Sequence, residues 1–307
     1  MKRMWKEVQL IGFSIKNLKE LTRVISFKVV NMVELKPEGF AKSGMPFYAY
    51  KDGRFEPNYE NLQRIKQLAD GLVKQIHLPI EKGGITMGAE RGLNIGVEDH
   101  HDIYLDKFRM MEAIYLEFGI GSVLTFHPPL TSVRGKQIID DDEALIGARK
   151  FFEKLDALRL KDGHQTLVGL ENQSDPKILG GNLGYLPAHF KKMLKPTRTI
   201  GLTLDSGHRR LTRTTEKKME FRTRDFLALG IPINNIHFHG NSGQINLKNF
   251  DDDEHLLPRK ENVNGYENYL RHFRRYRTPL VLEIAHLERY SDEELREFMI
   301  NLKKELV

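Results

Sequence analysis

The chain has 307 residues, and its 48 Lys and Arg outnumber its 42 Asp and Glu to give a formal net charge of +6. With 40% hydrophobic and 29% charged residues, the composition is that of a globular protein, which excludes a largely disordered chain. Cysteine is absent, so disulfides and thiolate metal ligands are excluded as well. No apolar run approaches the roughly 20 residues that span a bilayer, and the N-terminus lacks the apolar segment of a signal peptide. We therefore expect a cytoplasmic protein with no membrane partner, and its basic balance suits a partner that carries phosphate.

Short β-rich runs alternate with longer helical patterns along the chain. The predicted strands are near-continuous apolar runs, typical of parallel strands covered on both faces, at 8–15, 29–34, 74–78, 122–127, 166–171, 199–205, 235–239 and 279–284. Helical patterns lie between them, for example at 58–70, 105–118, 140–160, 221–229, 266–276 and 291–307. The last of these begins with a capping box formed by Ser291 and Glu294.

Eight strands that alternate with helices over this length predict an α/β fold, a single (β/α)8 TIM barrel that forms one domain over 1–307. The alternative is an open doubly wound sheet, which usually has a glycine-rich loop after its first strand. Gly12 stands alone at that place, and this favours the barrel.

Two connections are longer than a barrel requires, namely 37–57 after strand 2 and 79–102 after strand 3. Both are expected on the C-terminal face of the barrel, where barrel enzymes have their active sites. The first is rich in aromatic residues, and its Tyr48 and Tyr50 are candidates for substrate contacts. The alternative is a loop that packs on its own aromatic side chains.

A residue type that binds metals stands at the end of every predicted strand from the third onward: His77, His127, Glu171, Asp205 with His208 after it, His237 and Glu283. In a barrel these strand ends lie around one axis, so the side chains converge. Several carboxylates and imidazoles in one volume require a compensating cation. A set of nitrogen and oxygen ligands suits Zn²⁺ or Mn²⁺.

Each residue also has a structural alternative. His127 precedes two prolines and could be a core or loop histidine, Glu171 could belong to a buried salt bridge, and Asp205 could cap the following helix. Of the two histidines on strand 7, His237 and His239, we assign only His237 to the site. Three further histidines are expected in loops or in solvent: His100, His101 and His286.

The order of these residues, H…H-P…E-N…D-x-x-H…H…D-x-H…E, resembles the xylose-isomerase-like barrel superfamily and, within it, AP endonuclease family 2, of which endonuclease IV is the type. The resemblance implies nine ligands for three zinc ions. The implied ligands of the first ion are His77, His127 and Glu171. Those of the second are Glu171 as a bridge, Asp205, His237 and Glu283. Those of the third are His208, Asp253 and His255.

The resemblance implies a metal-dependent phosphoesterase with two or three Zn²⁺ ions, Mn²⁺ being the alternative, that acts on a phosphodiester such as an abasic site in DNA. Arg209 and Arg210 would then contact phosphate. The alternative is a sugar or sugar-phosphate isomerase or epimerase with a single ion. In that reaction Glu171 and Glu283 would move a proton and His208 would bind a substrate oxygen. Gly240 stands where an acidic residue often occurs in the endonucleases, which keeps this alternative open. A non-catalytic basic barrel is the third hypothesis, and no protein partner is implied.

Overall fold

A computed structural model of the chain describes residues 10–69, 71–78, 94–133, 136–163, 165–174, 183–195, 197–211, 223–242, 254–263 and 265–306. The strands in these ranges are β1 (Ile11–Ile15), β2 (Met32–Leu35), β3 (Tyr48–Lys51), β4 (Arg54–Pro57), β5 (Val73–Leu78), β6 (Val123–Phe126), β7 (Ser132–Val133), β8 (Lys136–Gln137), β9 (Leu167–Glu171), β10 (Ile200–Asp205), β11 (Ile233–His237) and β12 (Leu280–Leu282). The helices are α1 (Leu18–Ser26), α2 (Pro37–Lys42), α3 (Tyr59–Leu68), α4 (His101–Phe118), α5 (Asp141–Asp162), α6 (Pro187–Leu194), α7 (Ser206–Leu211), α8 (Thr223–Leu227), α9 (Tyr266–Tyr276) and α10 (Asp292–Leu306).

Eight of the strands form one closed parallel barrel in the order β1, β2, β5, β6, β9, β10, β11 and β12, and β12 pairs with β1. Helices lie between the strands along the chain, so the predicted (β/α)8 fold is confirmed. The barrel strands are buried almost throughout, because side chains fill the barrel on one face and helices cover the other. Since all eight strands run in the same direction, their C-terminal ends form one rim.

The helix boundaries follow local capping chemistry. The Asp140 side chain accepts hydrogen bonds from the backbone N–H groups of Asp142 and Glu143 and so starts α5. That helix ends at Gly163, which has a left-handed φ of 67° that glycine adopts without steric cost. Ser291 and Glu294 exchange the two hydrogen bonds of the predicted capping box at the start of α10.

The long connection after strand 2 is ordered rather than an open loop. It contains α2 and the antiparallel hairpin of β3 and β4. The rings of Tyr48 and Tyr50 pack on Phe55, and the Lys107 ammonium of α4 lies 5.2 Å from the centre of the Tyr48 ring. The backbone N–H of Phe55 also donates to Asp106 of α4. These contacts are those of a segment packed on its own aromatic residues, and the proposed substrate role of both tyrosines remains a prediction.

Several local expectations were wrong. Strand 7 ends at His237, two residues before the predicted end, and strand 2 runs from Met32 to Leu35 instead of 29–34. His101 is not solvated: it starts α4 and is fully buried, with Nε2 3.0 Å from the carbonyl oxygen of Ile95. His286 lies in an exposed turn, as expected. Among the described helices, none is both long and apolar enough to cross a bilayer.

Candidate metal centre

The C-terminal rim of the barrel brings most of the predicted ligands into groups whose ligand atoms lie close together. The first ligand group consists of His77, His127 and Glu171. The second ligand group consists of Glu171, Asp205, His237 and Glu283. The third ligand group consists of His208, His239 and His255. Glu171 is common to the first two groups, and His77, His237 and Glu283 from these two groups form a further set of neighbouring donor atoms.

The first ligand group is a triangle of three donor atoms. The Nε2 atoms of His77 and His127 are 3.2 Å apart, and they lie 3.1 and 3.2 Å, respectively, from Oε2 of Glu171. His77 is the last but one residue of β5, His127 follows β6 and Glu171 ends β9, so neighbouring strand ends create this arrangement. Ligand atoms of a tetrahedral zinc site are separated by about 3.3 Å, because zinc–ligand bonds are about 2.0–2.1 Å long. The spacing in the first ligand group therefore suits one such ion.

The second ligand group is centred on Nδ1 of His237. This atom lies 3.2 Å from Oε1 of Glu171, 2.8 Å from Oε2 of Glu283 and 3.8 Å from Oδ2 of Asp205. His237 and Asp205 are fully buried, and Glu171 and Glu283 are nearly so. Three buried carboxylates around one imidazole need positive charge nearby.

Two residues at or just after the end of β2, neither of them predicted from the sequence, support the second ligand group. Oε2 of Glu34 lies 2.9 Å from Nε2 of His237, and the Ser14 hydroxyl donates to Oε1 of Glu34 over 3.0 Å. The Lys36 ammonium donates to Oε1 of Glu283. A carboxylate on the outer ring nitrogen of a histidine fixes its tautomer, so Nδ1 faces the second ligand group.

Opposite charges in and around the second ligand group shift the pKa values of its members. Burial alone would lower the pKa of His237, but the carboxylates of Glu34, Glu283 and Glu171 outweigh burial and hold it well above its usual range. Burial would raise the pKa of Glu283, but the Lys36 ammonium and the His237 imidazolium hold it well below its usual range. The pKa of Glu171 is likewise well below its usual range, because His237 and the other histidines outweigh burial. The proton on His237 thus supplies positive charge where a metal cation would otherwise supply it.

The third ligand group includes His239, which was not predicted as a ligand from the sequence. Residues two positions apart on a strand share a face, so strand alternation gave no reason to exclude His239, which lies two residues past the end of β11. His239 is fully buried, its Nε2 lies 2.9 and 3.0 Å from the two carboxylate oxygens of Asp205, and its ring stacks on His255 with centres 4.0 Å apart. A Cβ atom on Gly207 would lie 2.0 Å from this ring, so the glycine makes room for His239. Asp253, the third implied ligand at this place, is outside the described residues.

Asp205 caps the following helix and also belongs to the second ligand group, the two roles that the sequence suggested for it. Its Oδ1 accepts a hydrogen bond of 2.7 Å from the backbone N–H of His208, which starts α7 in the manner of a helix cap. The Asn172 side chain bonds to both the N–H and the carbonyl of Asp205 and so holds the end of β10. The other oxygen, Oδ2, is left to face His237 and His239.

The residues present fit a bound divalent cation. Oε2 of Glu283 is buried and makes no well-aligned hydrogen bond to the described residues, and its close contact with Nδ1 of His237, at 2.8 Å, is an ionic one. A buried carboxylate oxygen without a hydrogen bond is costly unless a cation binds it. Together with the donor triangle of the first ligand group, this oxygen supports metal binding by the described residues.

Two predicted phosphate contacts cannot be placed. Arg209 and Arg210 lie on α7 directly after His208, and their side chains are outside the described part of the chain. Their role remains a prediction.

Comparison with known proteins supports the fold. No protein-family model matches the chain, and no curated protein sequence matches it. Similar solved structures include a putative xylose isomerase from Rhodospirillum rubrum (13% identity, TM-score 0.60, covering 97% of this chain and 98% of that one) and a xylose isomerase domain-containing protein from Salmonella typhimurium LT2 (14%, 0.57, 97% of each). A sugar phosphate isomerase/epimerase from Parabacteroides distasonis is similar over 95% of each chain, at 12% identity and a TM-score of 0.55. The chain therefore has the α/β TIM-barrel fold, and its structural neighbours are xylose isomerase-like proteins.

Proposed function

We propose that the protein is a divalent-metal-dependent phosphoester hydrolase whose centre holds at least two ions. The observation that supports this most directly is the position of Glu171. Its Oε2 belongs to the first ligand group and its Oε1 to the second, so one carboxylate would bridge two ions. Paired ions of this kind serve hydrolytic displacement at phosphorus, where attacking and leaving oxygens both develop charge.

The donor set is nitrogen and oxygen only, which suits Zn²⁺ or Mn²⁺. Bound there, such ions would act as Lewis acids on a phosphoryl oxygen and activate water as the nucleophile. The chain itself orients the ligands: Glu34 fixes the ring of His237, and His239 holds the carboxylate of Asp205. The third ligand group offers three imidazoles beside the other two groups and is our candidate for a third ion, with Asp253 as a further ligand.

The substrate class follows from the chemistry of the centre. A phosphodiester, with DNA that contains an abasic site as one example, carries the negative charge that a cationic centre attracts. The net charge of +6 is consistent with such a substrate.

A second candidate is a sugar or sugar-phosphate isomerase or epimerase. Two of the similar solved structures are described as xylose isomerase proteins and one as a sugar phosphate isomerase/epimerase, and the second ligand group alone would suffice for one ion. In that reaction Glu171 and Glu283 would transfer the proton. The first ligand group would then have no role, and for this reason we favour the hydrolase.

An activity assay on zinc-loaded and manganese-loaded protein distinguishes the two candidate functions. The substrates are bis(p-nitrophenyl) phosphate, duplex DNA with one abasic site, and a panel of ketoses, aldoses and their phosphates. We expect phosphodiester hydrolysis that falls by at least about 100-fold in His77→Ala and Glu171→Gln, because each change removes a metal ligand. His286→Ala removes an exposed histidine outside the three groups and serves as the control. Sugar isomerisation that survives His77→Ala, without any hydrolysis, would establish the second candidate and overturn the first.

A further inference from the structure

Two lysines lie side by side on the part of the rim that supplies none of the three ligand groups. In the register of β1 and β2, Ile15 pairs with Leu35, and the backbone N–H of Lys36 donates to the carbonyl of Ile15. Lys16 and Lys36 are therefore neighbours at the C-terminal ends of these two strands.

Strand alternation directs both side chains toward the barrel mouth. Ser14 and Glu34 point into the barrel, because they bond to each other and Glu34 contacts His237. Lys16 and Lys36 lie two positions further along, one residue past the end of each strand, and are expected on that same face. Glu283 at the barrel mouth acts on the charge of both ammonium groups, in agreement with this placement. The contact between Lys36 and Glu283 of the second ligand group agrees with this direction.

The two lysines differ in their counter-ions. The ammonium of Lys36 is paired with Glu283. Lys16 is half-buried, and the described residues offer its ammonium no ion pair and no hydrogen bond. Burial first, and the neighbouring Lys36 ammonium second, lower the pKa of Lys16, while Glu283 and Glu20 act in the opposite direction. A half-buried ammonium that forms no ion pair with the described residues is suited to an anionic ligand.

The charge balance of the metal-loaded centre also favours an anionic ligand. The first two ligand groups and their supporting residue contribute four carboxylates: Glu34, Glu171, Asp205 and Glu283. Two divalent ions would neutralise these four charges, and Lys16 and Lys36 would then leave an excess of two positive charges. Without metal the same residues carry an excess of negative charge, even with a proton on His237. An anion should therefore bind well only to the metal-loaded protein, and by linkage it should strengthen metal binding in turn.

We propose that Lys16, assisted by Lys36, forms an oxyanion subsite beside Glu283 that binds the phosphoryl group of the substrate. This subsite rests on the proposed function, because it needs the loaded centre. A tetrahedral phosphoryl group presents several charged oxygens, so it can contact a metal ion and an ammonium at once. A carboxylate substrate offers two oxygens and should depend less on Lys16.

The test is a calorimetric titration of zinc-loaded protein with inorganic phosphate and, separately, with acetate. The variants are Lys16→Met, Lys16→Arg, and Lys19→Met as a matched control, since Lys19 is exposed on α1. We expect the Kd for phosphate to rise by about 10-fold or more in Lys16→Met, because one charge-assisted hydrogen bond is lost. Lys16→Arg should retain most of the affinity, Lys19→Met should equal the native chain, and acetate should respond less than phosphate.

Zinc content measured on the same samples distinguishes a failure of the proposed subsite from a failure of the proposed metal centre. Full zinc content with an unchanged Kd for phosphate in Lys16→Met would overturn the subsite and leave the metal centre standing. An equal loss of acetate and phosphate affinity would overturn the assignment to a phosphoryl group. A native chain that retains no zinc would overturn the proposed function, and the subsite with it.

Discussion

The contact between Glu34 and His237 predicts a large effect on metal affinity from a residue that is not itself a ligand. Glu34 is fully buried, accepts from the Ser14 hydroxyl and lies 2.9 Å from Nε2 of His237. Glu34→Gln preserves the shape of the side chain but removes the charge that orients the ring and raises its basicity. Changes to such supporting carboxylates reduce metal affinity by roughly 10–100-fold, which corresponds to about 1.4–2.7 kcal/mol.

The assay for Glu34→Gln is zinc competition against a chromophoric chelator at constant pH. Ser14→Ala should weaken zinc binding less than Glu34→Gln, because the carboxylate remains next to His237. Glu38→Gln on the exposed side of α2 is the matched control and should not change the affinity. If Glu34→Gln binds zinc within twofold of the native chain while its circular dichroism is unchanged, the argument that Glu34 sets the His237 tautomer is refuted.

Three further predictions concern stability. Burial lowers the pKa of His189 to about 4, whereas an unfolded histidine has about 6.5, so the unfolded chain binds more protons between these values. Stability is therefore lost as pH falls from 6.5 toward 4, and His189→Asn should reduce this loss, by about 3 kcal/mol at most, in urea unfolding at pH 7 and 4.5. Gly207→Ala should lower the melting temperature with a cost of about 1–3 kcal/mol, because the new Cβ would collide with His239; an unchanged melting temperature would contradict this packing. Ser291→Ala removes the cap of α10 and should cost about 1 kcal/mol in denaturant unfolding, whereas no loss would mean that the cap adds nothing.

Strand ends were the part of the centre that the sequence could predict. A His, Asp or Glu that interrupts an apolar run is visible without a structure, and a parallel barrel brings all strand ends to one rim. That reasoning located His77, Glu171, Asp205 and His237 at the ends of β5, β9, β10 and β11. It also anticipated the cap formed by Asp205.

Residues beyond the strand ends were harder to predict. His239 was wrongly left out of the site, although a residue two positions from His237 is expected on the same face of a strand. Glu34 did interrupt an apolar run, and that signal was available, but its contact with His237 spans 203 positions and depends on barrel closure. The lysines at 16 and 36 were not assigned because a lysine after a strand is common, and only the register of β1 and β2 makes this pair distinctive.

The central claim is that Glu171 bridges two ions, and zinc stoichiometry tests it most directly. The measurement is elemental analysis of protein purified without chelator or affinity-tag metal, for the native chain, His77→Ala and His286→Ala. The account predicts two to three zinc ions per native chain, about one fewer in His77→Ala, and no change in His286→Ala. A single ion per chain that persists in His77→Ala would contradict the bridged centre.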